Sequence, residues 1–587
     1  MAEPPCQTGR AERPSPWADA DRIVLAHARD SGIVAIALDG ADERGRRPLT
    51  AGELPAWVAA READRSVRWV WASTARWYPV LLAAGVRVQR CHDLRLSHAI
   101  LRDARPTVAS LRDEAARPWD APDVAPAPSQ GEVLFELDAP GARSPRDDAD
   151  EVLAELARQD AALDGAPDAG RLRLLLAAES AGALLAEEMR AAGAPWDAAH
   201  HDRILTETLG PRRAGGLPER MARLAAEVRA ALGDPTVSLD SHPRLLRALH
   251  AAGIMVESTS KWELGEISHP AIPPLLEYKR LSRLLTANGW SWLDEWVRDG
   301  RFRPVYVPGG VVTGRWASSG GGALQLPRQL RGALRADPGW RIVDADVAQL
   351  EPRVLAAMAR DERMAEAARG RDLYAGIVAS GAVGTRAEAK LAVLGAMYGA
   401  TTGDSGRLVP RLRNVFPRAM ALVDDAARVG EEGGTVSTWL GRTSPPPDDG
   451  WRAAQAAASR AGAAPGEETR ARRMARDRGR FTRNFVVQGT AAEWALAWLA
   501  DLRLRLAQLP PVPPEEAAPR SGPAFARRAH VAFFLHDEVI VHAPAVHADA
   551  AAEAMRASAA AAGRLLFGSF PVDFPLELTV SESAAKD

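Results

Sequence analysis

The chain has 587 residues, 47% of them apolar and 26% charged, and its 74 basic and 76 acidic residues leave a net charge of −2. That composition excludes a wholly disordered chain, and at roughly 150 residues per domain the length allows about four folding units. Cys6 and Cys91 are the only cysteines, which excludes a disulfide framework or a cysteine-rich zinc site, and no global basicity advertises nucleic acid.

No apolar run approaches the roughly 18 residues of a membrane helix, and Pro4, Pro5, Arg10 and Glu12 occupy the place of a signal peptide's apolar region. The expectation is a soluble, cytoplasmic protein. Of the 74 cations 70 are Arg, and the four Lys are Lys261, Lys279, Lys390 and Lys586. In such an Arg-biased chain a surviving Lys is notable, because an ammonium can give up a proton where a guanidinium cannot.

Residues 1–20 read as a disordered, polar start. Residues 21–115 alternate short β-like runs with helix-like ones, including Ile33–Leu38, Arg68–Trp71 and Val86–Val88, and predict a small α/β unit. A Pro-, Ala- and Asp-rich linker spans 116–150. Helical stretches then follow, at Glu151–Leu163, Leu172–Ala192, Pro218–Leu232, Pro243–Ala252 and Pro273–Thr286. A Gly-rich segment, Pro308–Gly322, precedes a strand at Trp340–Val347. The segment lacks Gly-Lys-Ser/Thr, so it is not a nucleotide P-loop. Near the end come strand-turn-strand, a helix at Ala548–Leu566 and a strand at Leu576–Val580.

Two aspartates stand out. Asp346 ends the apolar strand Arg341–Asp346, and Asp537 sits in His536-Asp537-Glu538 between Val531–Leu535 and Val539–Val541. Carboxylates at neighbouring strand ends can hold divalent cations, and paired cations can clamp the attacking and leaving oxygens of a phosphoryl transfer. On spacing alone, turn residues and a helix cap explain them as well. Arg386, Lys390, Leu394 and Tyr398 recur every four residues and share a helix face, drifting about 40° per step. Arg480, Asn484 and Gln488 do likewise. On spacing alone an amphipathic helix with a solvated basic face explains the first row, and an ordinary surface helix the second.

Asp346-Val-Ala-Gln-Leu-Glu351-Pro-Arg353 resembles the first signature motif of family A DNA polymerases, the bacterial DNA polymerase I type. Arg386–Lys390 with Tyr398-Gly399 resembles the second, and His536-Asp537-Glu538 the third. Thr313-Gly314-Arg315 with Leu324-Gln325 and Pro327, Glu277-Tyr278-Lys279, and Arg480…Asn484…Gln488-Gly489-Thr490 fall in the family's order. The resemblance covers residues 150–587 well and the first 150 only faintly.

It implies a right-hand α+β domain over 151–587, with thumb at about 170–300, palm at about 301–355 and 490–587, and fingers at about 356–480. An α/β, exonuclease-like (RNase H-like) unit would precede it. Asp346, Asp537 and the carbonyl of Val347 would ligate two Mg²⁺ ions, with Mn²⁺ able to substitute, and Glu538 would assist nearby. Arg386, Lys390, Leu394, Tyr398, Gln349 and Tyr374 would face the incoming nucleotide, and Lys390 would protonate the leaving pyrophosphate. Glu351 would be the steric gate against ribose, making DNA the product. Arg315, Gln325, Lys279, Arg480, Asn484, Gln488 and His536 would contact primer-template DNA. The partners implied are that DNA and dNTPs, with no membrane, for a monomeric enzyme.

Leu394 stands where the family has Phe or Tyr, Tyr374 where it has His, and Pro352 interrupts Glu-Leu-Arg. About eight residues are missing between Tyr374 and Arg386. These departures bear on speed and nucleotide discrimination rather than on the metal ligands. The N-terminal unit shows Asp39-Gly40-Ala41 but no Asp-x-Glu on its first strand, and His92-Asp93 only echoes a later motif, so proofreading by this unit is expected to be lost. The competing reading is a protein that clamps primer-template without useful synthesis. A metal-dependent nuclease is a third.

Overall fold

The computed structural model describes Trp17 and residues 20–29, 32–64, 67–104, 109–121, 145–213, 215–399 and 403–585. The expected disordered start and most of the 116–150 linker lie outside the described residues.

The N-terminal unit is one five-stranded sheet: β1 (Arg22–His27), β2 (Ile33–Asp39), β3 (Asp42–Leu49), β4 (Arg68–Trp71) and β5 (Arg90–Asp93), in the order β3-β2-β1-β4-β5. β1, β2 and β3 run antiparallel, while β4 and β5 run parallel to β1 and each other. Side chains alternate across a strand, so the sheet buries both faces. Ile23, Leu25, Ala35, Trp69 and Trp71 pack on one side with Tyr78 and Leu81, and with Leu184 and Phe525 from far along the chain. Val24, Ala26, Ile36 and Val70 pack on the other with Trp119, Val152 and Leu156.

The strand expected at Val86–Val88 lies four residues later. The helix Thr74–Ala83 ends in a left-handed Gly85 (φ 79°), with Val86 N donating to Leu81 O and Gly85 N to Leu82 O. This helix-closing pattern takes up the Val86 N–H, the first that a ladder there would need. The strand therefore starts only at Arg90.

Beyond residue 149 helices dominate, including Ala149–Asp164, Ala169–Ala192, Glu219–Leu232, His242–Ala251 and Ile272–Asn288, all within a few residues of the sequence expectation. At the centre stands a four-stranded antiparallel sheet ordered His530–Leu535, Glu538–Pro544, Trp340–Val347, Leu576–Ser581. Its register sets Asp346 opposite Glu538 and Asp344 opposite Ile540. The large core around it joins Ile342, Val343, Phe533, Val541, Trp494, Trp498 and Met555. A separate helical cluster, built on Leu355, Met364, Ile377, Val393, Leu412 and Val423, reaches the long helix Pro465–Gln508 through Val487. No described helix is long and apolar enough to cross a membrane.

Candidate active site

The two central strands His530–Leu535 and Glu538–Pro544 are joined by a two-residue turn, His536-Asp537, with His536 in the left-handed region (φ 58°). Two-residue hairpins require positive φ at the first central position, which a non-glycine residue adopts at some cost. The turn is fastened to the next strand: Val347 N donates to Asp537 O at 3.0 Å. Asp346, one residue before Val347, pairs across the ladder with Glu538. Both aspartates thus stand at the same end of the central sheet.

Burial first, and then the charge of Asp346, push the carboxyl of Asp537 up to about 6. Among the described residues no cluster of three or more His, Cys, Asp or Glu side chains could hold a metal; the candidate is the aspartate pair, whose nearness the register and the Val347–Asp537 hydrogen bond carry. Its chemistry fits: two hard-oxygen donors from neighbouring strands repel each other, and a divalent cation between them would relieve that repulsion. Glu538, expected as a helper, is instead buried against Arg331, which donates to both its carboxylate oxygens. Its charge is matched by a guanidinium that belongs to none of the sequence motifs.

A pocket of about 260 Å³ opens beside Asp537 and collects eight of the expected residues: Arg315, Gln349, Glu351, Tyr374, Leu394, Tyr398, His536 and Asp537. Its floor is apolar, formed by Trp316, Leu324, Ala495, Leu496, Leu499 and Phe534. Glu351 lies on the helix Leu350–Met358 and ties two walls together. It accepts from Arg315, and from the Tyr398 hydroxyl at 2.6 Å. Gln349, also left-handed (φ 51°), has its amide engaged by Asp372 (3.1 Å) and the backbone N of Leu373 (3.2 Å). That amide therefore braces the neighbouring helix. Arg353, fully buried, holds the same corner by donating to Ala348 O and to Asp573. It closes the first signature motif, but its spacing there does not show that it is buried against Asp573.

The helix Arg386–Tyr398 begins with a capping box, Thr385 and Glu388. Lys390 is exposed, a turn before Leu394, which is half-buried in the pocket wall. Arg386 pairs with Asp372 at 2.8 Å and lies over the Tyr374 ring. Arg480 packs on Gly399, just past Tyr398, where a Cβ would stand 2.8 Å from its Cγ. Asn484 and Gln488 follow half-buried along the same helix. Gln325 is exposed at the end of the short helix Ala323–Gln325. Lys279 does not join the pocket lining; its ammonium donates to Thr259 O and Oγ1, both at 2.6 Å.

The sequence pattern of DNA polymerase family A matches residues 214–585, well over half of the chain. The chain belongs to this family. It is 25% identical over 406 residues to the thermostable DNA polymerase I of Thermus aquaticus, a match covering 62% of this chain and 43% of that one. It is 28% identical over 349 residues to DNA polymerase I of Chloroflexus aurantiacus, covering 54% of this chain and 33% of that protein. The match thus spans less than half the length of these family A relatives. Among solved structures, the POL domain of Pol1 from M. smegmatis, in complex with DNA primer-template and dNTP, is similar in fold. The TM-score is 0.67 over 97% of this chain and 96% of that one, at 17% identity.

Proposed function

We propose that the chain is a template-directed DNA polymerase that adds deoxynucleotides to a primer 3′-hydroxyl with two divalent ions, Mg²⁺ or Mn²⁺. The observation that carries this reading is the meeting of Asp346 and Asp537 at one end of the central sheet, beside a pocket walled by Glu351 and the Arg386–Tyr398 helix. Asp346, Asp537 and the carbonyl of Val347 would hold the ions, which supply activation of the hydroxyl and neutralisation of the triphosphate. Lys390 and Arg386 lie on the face that would receive the triphosphate, with Lys390 the proton donor to pyrophosphate. Glu351 would occupy the space a 2′-hydroxyl needs, and Leu394 and Tyr398, which line the same pocket, would close over sugar and base. Arg315, Gln325, Arg480, Asn484, Gln488 and His536 would hold primer-template DNA, with Lys279 farther along the duplex. In this reading the central sheet is the palm, the helical cluster around Leu355 to Val423 belongs to the fingers, and the helices between 170 and 300 form the thumb.

We read the N-terminal unit as an RNase H-like, exonuclease-like fold without its nuclease site. The support is the strand order β3-β2-β1-β4-β5, with Asp39 and Glu43 paired to Arg44 and Arg46 and Asp93 spent capping the helix Leu94–Leu101.

The test is primer extension with Mg²⁺ and all four dNTPs. Asp346→Ala or Asp537→Ala should abolish extension, as should a chelator, while affinity for primer-template stays within about threefold, because arginine–phosphate contacts dominate it. Clear synthesis by either variant would overturn the two-ion assignment. Metal-dependent shortening of a mismatched 3′ end by the Asp537→Ala protein would overturn the reading of the N-terminal unit.

A further inference from the structure

Behind the loop that carries Arg315 lies a buried polar cluster drawn from distant parts of the chain. Glu179 comes from the helix Ala169–Ala192, Thr438 and Arg442 from a tight turn, and Glu493 from the long helix. Arg442 Nη2 donates to Glu179 Oε2 at 2.6 Å. The Thr438 hydroxyl donates to Glu493 and accepts from the Arg442 backbone N, and Leu440 N donates to the second Glu493 oxygen at 2.9 Å. Glu179 and Glu493 are each 1% exposed. Two carboxyl groups and one guanidinium out of water are costly, and an apolar replacement of the same volume is often no less stable. Stability alone is therefore a weak account of this cluster.

Three of its neighbourhood's polar atoms, Glu179 Oε1, Arg442 Nε and Thr313 Oγ1, are buried without a hydrogen-bond partner among the described residues. Two of them press on the backbone of one loop. A Cβ on Gly309 would stand 2.7 Å from Glu179 Oε1, and one on Gly314 would stand 2.6 Å from Arg442 Nε. Both glycines have positive φ, +61° and +83°. Thr313 lies in the same loop, and a Cβ on Gly489 of the long helix would meet its carbonyl at 3.2 Å. The next residue after Gly314 is Arg315, which reaches Glu351 and through it Tyr398.

We propose that Glu179 and Arg442 are positioning residues: the pair props the 309–314 loop so that Arg315 holds its place between the primer terminus and Glu351. The consequence is discrimination. A loosened loop lets Arg315 drift from the primer terminus it would contact and leaves Glu351 with one restraint fewer, so mismatched primer ends are extended more readily relative to matched ones. This inference rests on the reading of Arg315 as a DNA contact, and the experiment separates the two.

Single-nucleotide extension from matched and mismatched primer ends, with kcat and KM resolved, should be measured for Arg315→Ala, Glu179→Gln, Arg442→Lys, Gly309→Ala and the double variant Glu179→Gln/Arg315→Ala. Glu179→Gln and Gly309→Ala should lower the matched-to-mismatched ratio of kcat/KM by about tenfold, chiefly through kcat on matched ends. Arg442→Lys, which keeps the charge but not the fork, should fall between them and the parent. The double variant should be no worse than Arg315→Ala, since both act through one group. Folded Glu179→Gln and Gly309→Ala proteins with the parental ratio, or a double variant showing the product of the single effects, would overturn the inference alone. An Arg315→Ala protein with the parental ratio would overturn the role of Arg315 and this inference with it. Should Glu179→Gln fail to fold, Arg442→Lys decides, because it weakens the same ion pair from its other side without straining the left-handed backbone of Gly309.

Discussion

Glu351 accepts hydrogen bonds from two residues on different elements, Arg315 and Tyr398. A carboxylate held from two sides is a stiff wall, and a stiff wall excludes an extra hydroxyl better than a mobile one. Glu351→Ala should therefore raise incorporation of ribonucleotides relative to dNTPs by roughly tenfold or more, whereas Tyr398→Phe, which keeps the ring and removes one restraint, should do so less. Competition assays with each rNTP and its dNTP check this; unchanged selectivity in Glu351→Ala would remove it from the gate. Glu538 behaves differently. Removing it strands the buried Arg331 guanidinium, so Glu538→Ala should cost roughly 3–5 kcal/mol of stability, measured by denaturant unfolding. Asp537→Ala carries no such ion-pair penalty and should unfold close to the parent. Adjacent acids in one motif thus separate into a candidate for chemistry and a structural partner. Their spacing in the sequence is silent on that difference, because the deciding guanidinium lies 207 positions away from Glu538.

The long helix Pro465–Gln508 shows how one element serves two tasks. Its 44 residues extend about 66 Å. The half from Phe485 to Leu506 is buried almost all round, with Trp494 and Trp498 in the central core. The other half is amphipathic: Ala471, Gly479 and Thr482 face its neighbours, while Arg470, Arg472, Arg473, Arg476 and Arg480 are exposed. In a chain of net charge −2 this run is a marked local excess of cations, and it continues the row of Arg480, Asn484 and Gln488. Replacing Arg470, Arg473 and Arg476 together by Ala should weaken primer-template binding uniformly across sequences and reduce the slope of log K against log salt by about 3. Fluorescence anisotropy over a salt series measures it, and an unchanged slope would show the run to be a solvated face. The expected helices were legible because apolar spacing at 3.6 residues reports which face is buried. The misplaced strand at Val86–Val88 was not, because a β-like composition does not reveal that the preceding helix has already claimed the backbone.

The whole molecule is knitted across its two units. Glu188 accepts from Arg503 and from the Tyr78 hydroxyl, both at 2.6 Å, and from Arg87 at 3.0 Å, while Arg503 also donates to Gln89 O. Burial would raise the Glu188 carboxyl, but Arg503 and Arg87 outweigh it and hold it at about 2. A depressed folded value means stability that is fully present above the unfolded pKa near 4.3 and lost as pH falls through about 2. With Leu184 and Phe525 in the N-terminal unit's core, calorimetry at neutral pH should show that unit and the central core unfolding in one transition. Between about pH 4 and pH 2 the transition should weaken, and Glu188→Gln should lower stability at pH 7 while flattening that acid dependence. Two well-separated transitions at neutral pH would refute the coupling.

The sequence by itself determined the order of the motifs, the strand carrying Asp346, the hairpin presenting Asp537 and the shared faces of the two rows of site residues. These follow from periods of two and 3.6 residues and from turn position, which are local. The motif order implied that Asp346 and Asp537 come together; the tertiary structure alone decided that Glu351 is held by Arg315 and Tyr398, that Arg331 takes Glu538, and that Glu179 and Arg442 lie under the Arg315 loop. Each of those depends on a partner brought in by the register of the central sheet or the packing of distant helices. A buried charge is stable only beside a compensating group, and which group compensates it is settled by where the chain returns, not by the residues on either side.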